Sequence, residues 1–216
     1  AAPVKIAGIA VSHVALRIDG DDNPHVAFRN ERTRTVGYAA RTATTPWRVT
    51  DIEGCAGETG CGTDEDFGLG LDLALVAEGG SSALPRIAFY DARRGDLKLA
   101  SKSAAGAWTT VTVDGAGGDV GRFVSLAVSP TRALGVAYYD ATLGALRYLG
   151  SSGASRVIDN GVYTNSDGRT RRRDVGQLCV LDFDTRGSAH IIYVDATTPG
   201  LRHAREIGRA SCRERV

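Results

Sequence analysis

A chain of 216 residues, 43% hydrophobic and 24% charged with 27 Gly and 6 Pro, has an ordinary globular composition, which excludes disordered and collagen-like classes. Lys and Arg total 26 against 25 Asp and Glu, so the formal charge of +1 gives no electrostatic reason to expect a nucleic-acid partner. No run reaches the roughly 18 consecutive apolar residues of a membrane span, and the length suits one domain or two with a real core.

The first residues, AAPVKIAG, carry neither an initiator Met nor a basic-then-apolar leader, so the natural start reads as missing or cleaved. Four similar units then follow. Residues 8–54 contain HVALRID, NPHVAFRN, RTVGYAA and WRVTDIE; residues 66–114 contain LDLALVAE, LPRIAFYD, DLKLAS and WTTVTVD. Residues 119–160 repeat the order with VSLAVSP, ALGVAYYD, ALRYLG and SRVID, and residues 174–205 with LCVLDFD, AHIIYVD and GLRHAR. The second segment of each unit ends at Asn30, Asp91, Asp140 or Asp195, which are 61, 49 and 55 residues apart.

These second segments are β-branched, aromatic and nearly continuous in apolar character, as expected of strands buried on both faces. Polar turns join them to their neighbours, so each unit reads as an antiparallel meander. Four strands per roughly fifty residues is the period of a β-propeller blade. The expected fold is therefore all-β: a β-propeller fragment of about four blades, the fourth incomplete, with helix nearly absent. The last residues, 206–216 (EIGRASCRERV), resemble the translation of a common short-read sequencing adapter and are set aside from the repeat at 1–205.

Within the second unit, SKSAAGAW places Ser101 and Trp108 seven residues apart. This resembles the Asp-box, or bacterial neuraminidase repeat, of sialidase-like propellers. Ser103 stands where that motif has Asp, and Ala105 where it has Gly. The first unit keeps only Trp47, and the third has lost the Trp. The resemblance implies that the loops from second to third strand, and from fourth strand to the next blade, form the ligand face.

Asp91, Asp140, Asp195 and Asn30 open turns in which a side-chain oxygen can accept the N–H groups of the next two or three residues; the alternative is a ring of carboxylates around a channel mouth. Asp66, Asp119 and Asp174 open the first strands, where they close the blade-to-blade link. His25 and His190 occupy equivalent strand positions filled elsewhere by Arg86 and Gly135, and with His13 and His203 isolated no zinc spacing exists. The sequence calls for no metal and no cofactor. Cys55 and Cys61 suit a disulfide closing a local loop, contributing roughly 2–3 kcal/mol in an oxidising compartment, and Cys179 suits a free buried thiol.

The segment DNGVYTNSDGRTRRRDVG, between the third and fourth units, breaks the repeat as the longest loop of the expected ligand face. Six of the seven Tyr are repeat-equivalent; Tyr163 in this segment is not. The candidate binding residues are Arg93, Arg122, Tyr163, Arg171, Arg172, Arg173 and Asp174, with Arg94 and Arg169 nearby. Guanidinium forks match carboxylate or sulfate oxygens bidentately, which points to an acidic glycan; a protein partner is the other expectation. A sialidase would also need an acidic partner for its Tyr nucleophile, an acid/base Asp and three Arg on the substrate carboxylate. No Glu accompanies Tyr163 in sequence, and the Arg-bearing start of sialidases is absent here. The reading is therefore a non-catalytic propeller, secreted or on a bacterial surface, presenting loops to a glycan or protein. A fragment of a sialidase-type glycoside hydrolase and a purely structural repeat module are the alternatives.

Overall fold

The computed structural model describes residues 5–6, 8–53, 67–77, 83–115, 117–207 and 210–212. These residues form strands and turns without helix. Blade 1 contains β1 (Val11–Ile18), β2 (Pro24–Asn30), β3 (Thr35–Ala40) and β4 (Arg48–Glu53); blade 2 contains β5 (Phe67–Ala77), β6 (Ala83–Asp91), β7 (Asp96–Lys102) and β8 (Trp108–Asp114). Blade 3 contains β9 (Val120–Val128), β10 (Leu134–Asp140), β11 (Ala145–Leu149) and β12 (Ser155–Asp159). A two-stranded hairpin, β13 (Val162–Thr164) and β14 (Thr170–Arg172), precedes blade 4, which contains β15 (Val175–Phe183), β16 (Ala189–Asp195), β17 (Gly200–Ile207) and β18 (Ala210–Cys212).

Each blade is an antiparallel meander in sequential strand order, as the repeat predicts. The fourth strand of blade 4 is only three residues long, against five to seven in blades 1–3, and lies in the terminal segment set aside on sequence. The segment read as a loop between blades 3 and 4 instead holds the β13–β14 hairpin, with Tyr163 opposite Arg171.

Turn chemistry explains the hairpins. Asp19 Oδ1 accepts the N–H groups of Asp21 and Asn23 at 2.9 and 2.8 Å, and Asp184 Oδ1 those of Arg186 and Ser188 at 3.0 and 2.8 Å. Ser129 Oγ does the same for Ala133 at 3.0 Å.

The first strand of each blade packs against the preceding blade, and the core is divided into three clusters at the three junctions. At the second junction, Ala74, Ala88 and Leu97 meet Val120, Val124, Leu126, Val136 and Tyr138. Two glycines set how closely the blades approach. Gly121 and Gly176 both have φ of +104°, and a Cβ on either would lie 2.9 or 2.7 Å from the backbone of Leu97 or Leu146 in the blade before. Two positions further, Phe123 and Leu178, with the equivalent His13 of blade 1, also have positive φ, at 52°, 50° and 47°, and mark a register shift in the first strands of blades 3, 4 and 1. Among the described residues the four four-stranded sheets form an open series rather than a closed ring, with blade 1 and blade 4 at its ends.

Candidate functional site

In a meander, the links from second to third strand and from fourth strand to the next blade share one end of the sheet. The turns after β2, β6, β10 and β16 therefore lie on one face of the propeller with the β13–β14 hairpin. In all four turns the Asn or Asp acts as the sequence suggests. Asn30 Oδ1 accepts from Arg32 N at 3.1 Å, Asp91 Oδ1 from Arg93 N at 3.1 Å, Asp140 Oδ1 from Leu143 N at 2.8 Å, and Asp195 Oδ1 from Thr198 N at 2.8 Å.

The second carboxylate oxygen has a role that the turn alone does not reveal. Asp140 Oδ2 lies 3.0 Å from Arg147 on the third strand of its own blade, and Arg147 lies 3.2 Å from Asp114 at the end of the preceding blade. Asp195 Oδ2 and Asp159 Oδ2 each lie 2.9 Å from Arg202 in the same way, and Lys98 lies 2.9 Å from Glu53 and 3.5 Å from Asp91. Each junction thus carries one cation between two acids, one from each blade. Tyr138 and Tyr193 hydroxyls donate to Asp114 and Asp159 at 2.5 and 2.8 Å. In blade 1 both charges are absent together: Asn30 replaces the Asp, and Gly37, filled by the Phe28 ring, stands where the other blades have Lys or Arg.

A second repeated contact holds the aspartates that open the first strands. Tyr90 and Tyr139 hydroxyls donate to Asp119 and Asp174 of the following blade, each at 2.7 Å. Burial, then the Asp174 bond, pushes Tyr139 up to about 12. Asp159 is pushed up by burial, but the Gly161 N–H, Tyr193 and Arg202 outweigh this and hold its carboxyl below the ordinary range.

The predicted binding residues fall into two groups at successive junctions. At the blade 2–3 junction, Arg93 sits in the turn after β6, and Arg122 forms a two-point pair with Asp119 at 3.0 and 2.6 Å while covering the Tyr90 ring at 5.4 Å. At the blade 3–4 junction, the Arg173 guanidinium lies 4.0 Å from the Tyr163 ring centre, and its buried Nε is 3.8 Å from Asp195 Oδ2. Arg172 reaches across to donate to Leu143 O at 3.2 Å. Arg171 is exposed opposite Tyr163, and Asp174 is held by Tyr139 and by Gln177 at 2.8 Å. Arg122, itself exposed, and Arg173 are thus tied to acids of the scaffold, whereas on the exposed strand β14 Arg172 donates only to a backbone carbonyl and Arg171 lies opposite Tyr163.

Trp108 packs between blades, edge-on to Tyr38 at 5.2 Å. Cys179 is a buried free thiol donating to Phe123 O at 2.9 Å, and burial pushes it up to about 12. The proposed Cys55–Cys61 disulfide and the loop position of Asp66 lie outside the described residues. His203, which is isolated in sequence, is not isolated in space: its ring stacks on His190 at 5.1 Å, with Nε2 3.0 Å from His190 Nδ1. Among the described residues no cluster of His, Cys, Asp and Glu has the arrangement of a metal site, and no helix is long and apolar enough to cross a membrane.

No protein-family model matches the chain, and no curated protein does. Among solved structures, a Hadza microbial sialidase superposes with a TM-score of 0.56 at 12% identity, over 95% of this chain and 46% of its own. The fucose-recognising, six-bladed β-propeller lectin of Aleuria aurantia superposes with 0.53 at 13% identity, over 94% of this chain and 61% of its own. A thermostable family-43 glycoside hydrolase gives 0.53 at 9%, over 94% and 72%. The chain therefore spans about half the length of the sialidase and less than two thirds of the lectin. At these identities the likeness shows the propeller fold.

Proposed function

We propose that this propeller binds an acidic glycan through the β13–β14 hairpin, without catalysing a reaction on it. The observation that carries the reading is the division among the arginines. Arg122, Arg147 and Arg202 hold scaffold carboxylates, while Arg171 and Arg172 extend from an exposed strand beside Tyr163. Stacking of Arg173 on Tyr163 fixes that ring and adds positive charge to the same hairpin. A sulfate or carboxylate group presented to Arg171 on the Tyr163 face of the hairpin, or to Arg172 on its other face, meets a planar, permanently charged donor.

The likeness to a fucose lectin and to glycoside hydrolases supports a glycan as the ligand class. A binding role is favoured over hydrolysis because the nearby acids are committed. Asp159 and Asp195 share Arg202, Asp174 receives Tyr139 and Gln177, and among the described residues no carboxylate hydrogen-bonds the Tyr163 hydroxyl. A general acid would need a carboxyl held neutral near its working pH, and Asp159 is held in the opposite direction. In this reading the protein works outside a bacterial cell or on its surface.

The test is binding of sulfated or uronic-acid oligosaccharides, compared with neutral ones, by calorimetry. Arg171→Ala and Arg172→Ala should each weaken binding by about tenfold or more, the equivalent of one lost charge-assisted hydrogen bond. Arg41→Ala, beyond the opposite end of β3, should leave it unchanged. Equal binding of neutral glycans, or hairpin variants that bind like the wild type, would refute the reading. Turnover of a fluorogenic sialoside that Tyr163→Phe abolishes would favour the hydrolase reading instead.

A further inference from the structure

The β13–β14 hairpin concentrates positive charge on a segment that no blade holds. Four of the five residues 169–173 are Arg, the densest basic run in the sequence. β13 and β14 form a sheet of their own with three paired positions and share no ladder with blade 3 or blade 4. β14 is exposed along its length, and the Arg169 side chain just before it is 73% exposed. A two-stranded hairpin standing alone is marginal in water, so this segment opens at lower cost than the four-stranded sheets on either side.

Other basic residues are held more tightly. Arg93 and Arg94, also adjacent, lie in a turn that Gly95 N closes by donating to Asp91 O at 2.8 Å and that Asp91 Oδ1 caps at 3.1 and 3.3 Å. The Arg34 N–H closes an equivalent turn on Asn30 O at 2.7 Å. Lys98, Arg147 and Arg202 sit on the third strands of four-stranded sheets, paired with acids. Residues 54–66 and 78–82, which link β4 to β5 and β5 to β6, contain neither Lys nor Arg.

The blades on either side of the hairpin are joined without it. They share a buried core, with Ala137, Leu146 and Tyr148 from blade 3 and Val175, Leu181 and Ile191 from blade 4. Asp159 and Arg202 bridge the same junction at 2.9 Å, and Tyr139 donates to Asp174 at 2.7 Å. A break in the hairpin divides the chain between two blades and leaves all of these contacts in place.

We propose that the segment from Arg169 to Arg172 is a processing site for a protease whose specificity pocket accepts arginine, and that the product is a two-chain propeller. The segment reaches the extended form a protease needs by giving up the three pairings of β14 with β13 and the Arg172 bond to Leu143 O. Water adds across the peptide bond after Arg169, Arg171 or Arg172. The arginine carbonyl carbon gains the water oxygen and becomes a carboxylate, and the nitrogen of the next residue takes a proton and leaves as a new α-amine. Cleavage is independent of glycan binding. Its consequence, loss of binding as the hairpin comes apart, rests on the proposed glycan site.

The test is limited digestion of the full chain with trypsin, followed by intact-mass spectrometry and by size exclusion with and without denaturant. The first cut between residues 8 and 205 should follow Arg169, Arg171 or Arg172, and the two products should elute together until denaturant separates them. The variant Arg169→Gln/Arg171→Gln/Arg172→Gln should keep the wild-type circular dichroism spectrum and be cut at least about tenfold more slowly in that range. A first cut elsewhere in the range, products that separate without denaturant, or a variant cut as fast as wild type would overturn the proposal. Cut protein that binds a sulfated oligosaccharide as tightly as the intact chain would overturn the loss of binding; an intact chain that does not bind it would overturn the glycan reading alone.

Discussion

The junction between blades 2 and 3 offers a quantitative test of how the propeller is held together. Asp140 is 1% exposed, and its two oxygens serve different partners: Leu143 N–H at 2.8 Å and Arg147 at 3.0 Å. Replacing it with Ala removes a turn-capping bond worth about 1 kcal/mol and a charge-assisted bond worth about 1.5–3 kcal/mol. The expected loss is about 3 kcal/mol, or a fall of roughly 6–12 °C in melting temperature for a chain of this size. Asp140→Asn keeps an acceptor for Leu143 and should cost about half as much. Arg147→Leu alone leaves Asp140 and Asp114 facing each other without their cation. The double variant Asp140→Asn/Arg147→Leu should therefore be less damaging than the sum of its parts, with a coupling of about 1.5–3 kcal/mol. Blade 1 already carries a neutral version of this pair in Asn30 and Gly37. Urea unfolding, followed by circular dichroism at low protein concentration, measures all four proteins. Additive losses, or an Asp140→Asn cost below about 0.5 kcal/mol, would show that the junction cation contributes no more than a surface charge.

Further outcomes follow from packing and titration. Gly176→Ala should cost more than about 3 kcal/mol, because the new methyl group would meet the Leu146 backbone and the residue has φ of +104°; a melting temperature equal to wild type would contradict the blade spacing. Burial raises Tyr38, Tyr90, Tyr138, Tyr139 and Tyr193 above the ordinary phenol value, with Asp174 helping to push Tyr139 to about 12. Their contribution to stability is complete below about pH 10 and lost as pH rises through the folded values, so ultraviolet titration should show cooperative unfolding with phenolate appearance above pH 10. Asp19 and Asp184 behave oppositely. Burial raises Asp19 but hydrogen bonds from Asn23 and its neighbours prevail, and the Ser188 N–H lowers Asp184, leaving both at about 2. Their contribution is present above about pH 4 and lost between about 4 and 2. Turn amides of blades 1 and 4 that exchange no faster at pH 3 than at pH 5, after correction for intrinsic rates, would contradict this.

Much of the fold is legible in the sequence because a blade is a local object. The phrases ending at Asn30, Asp91, Asp140 and Asp195 carry both their strand character and their turn chemistry within a few residues. The third-strand bases are legible too once sought, since Lys98, Arg147 and Arg202 each follow their Asp by seven residues. The acid from the preceding blade is harder to find, because Glu53, Asp114 and Asp159 precede those bases by 45, 33 and 43 residues. That separation absorbs variable links, and only packing of one blade on another brings the three groups together. The β13–β14 hairpin escapes sequence reading for a different reason: VYT and TRR are short and mostly exposed, so they lack the alternation that burial imposes on longer strands. The pairing of His190 with His203 depends on the register of β16 against β17, which opposes Ile192 to His203 and makes His190 its diagonal neighbour. Among the site residues, Tyr163 is conspicuous as the Tyr outside the repeat, yet nothing in the sequence distinguishes Arg122 and Arg173, which meet scaffold acids, from Arg171 and Arg172, which do not.

The most direct test of the binding account is amide chemical-shift mapping of the chain with a sulfated oligosaccharide. The account predicts saturable shifts centred on residues 162–164 and 170–172 and on Leu143, whose carbonyl receives Arg172. Shifts centred instead on the turns at residues 19–23 and 184–188, at the opposite end of the sheets, or no saturable shift at all, would contradict it.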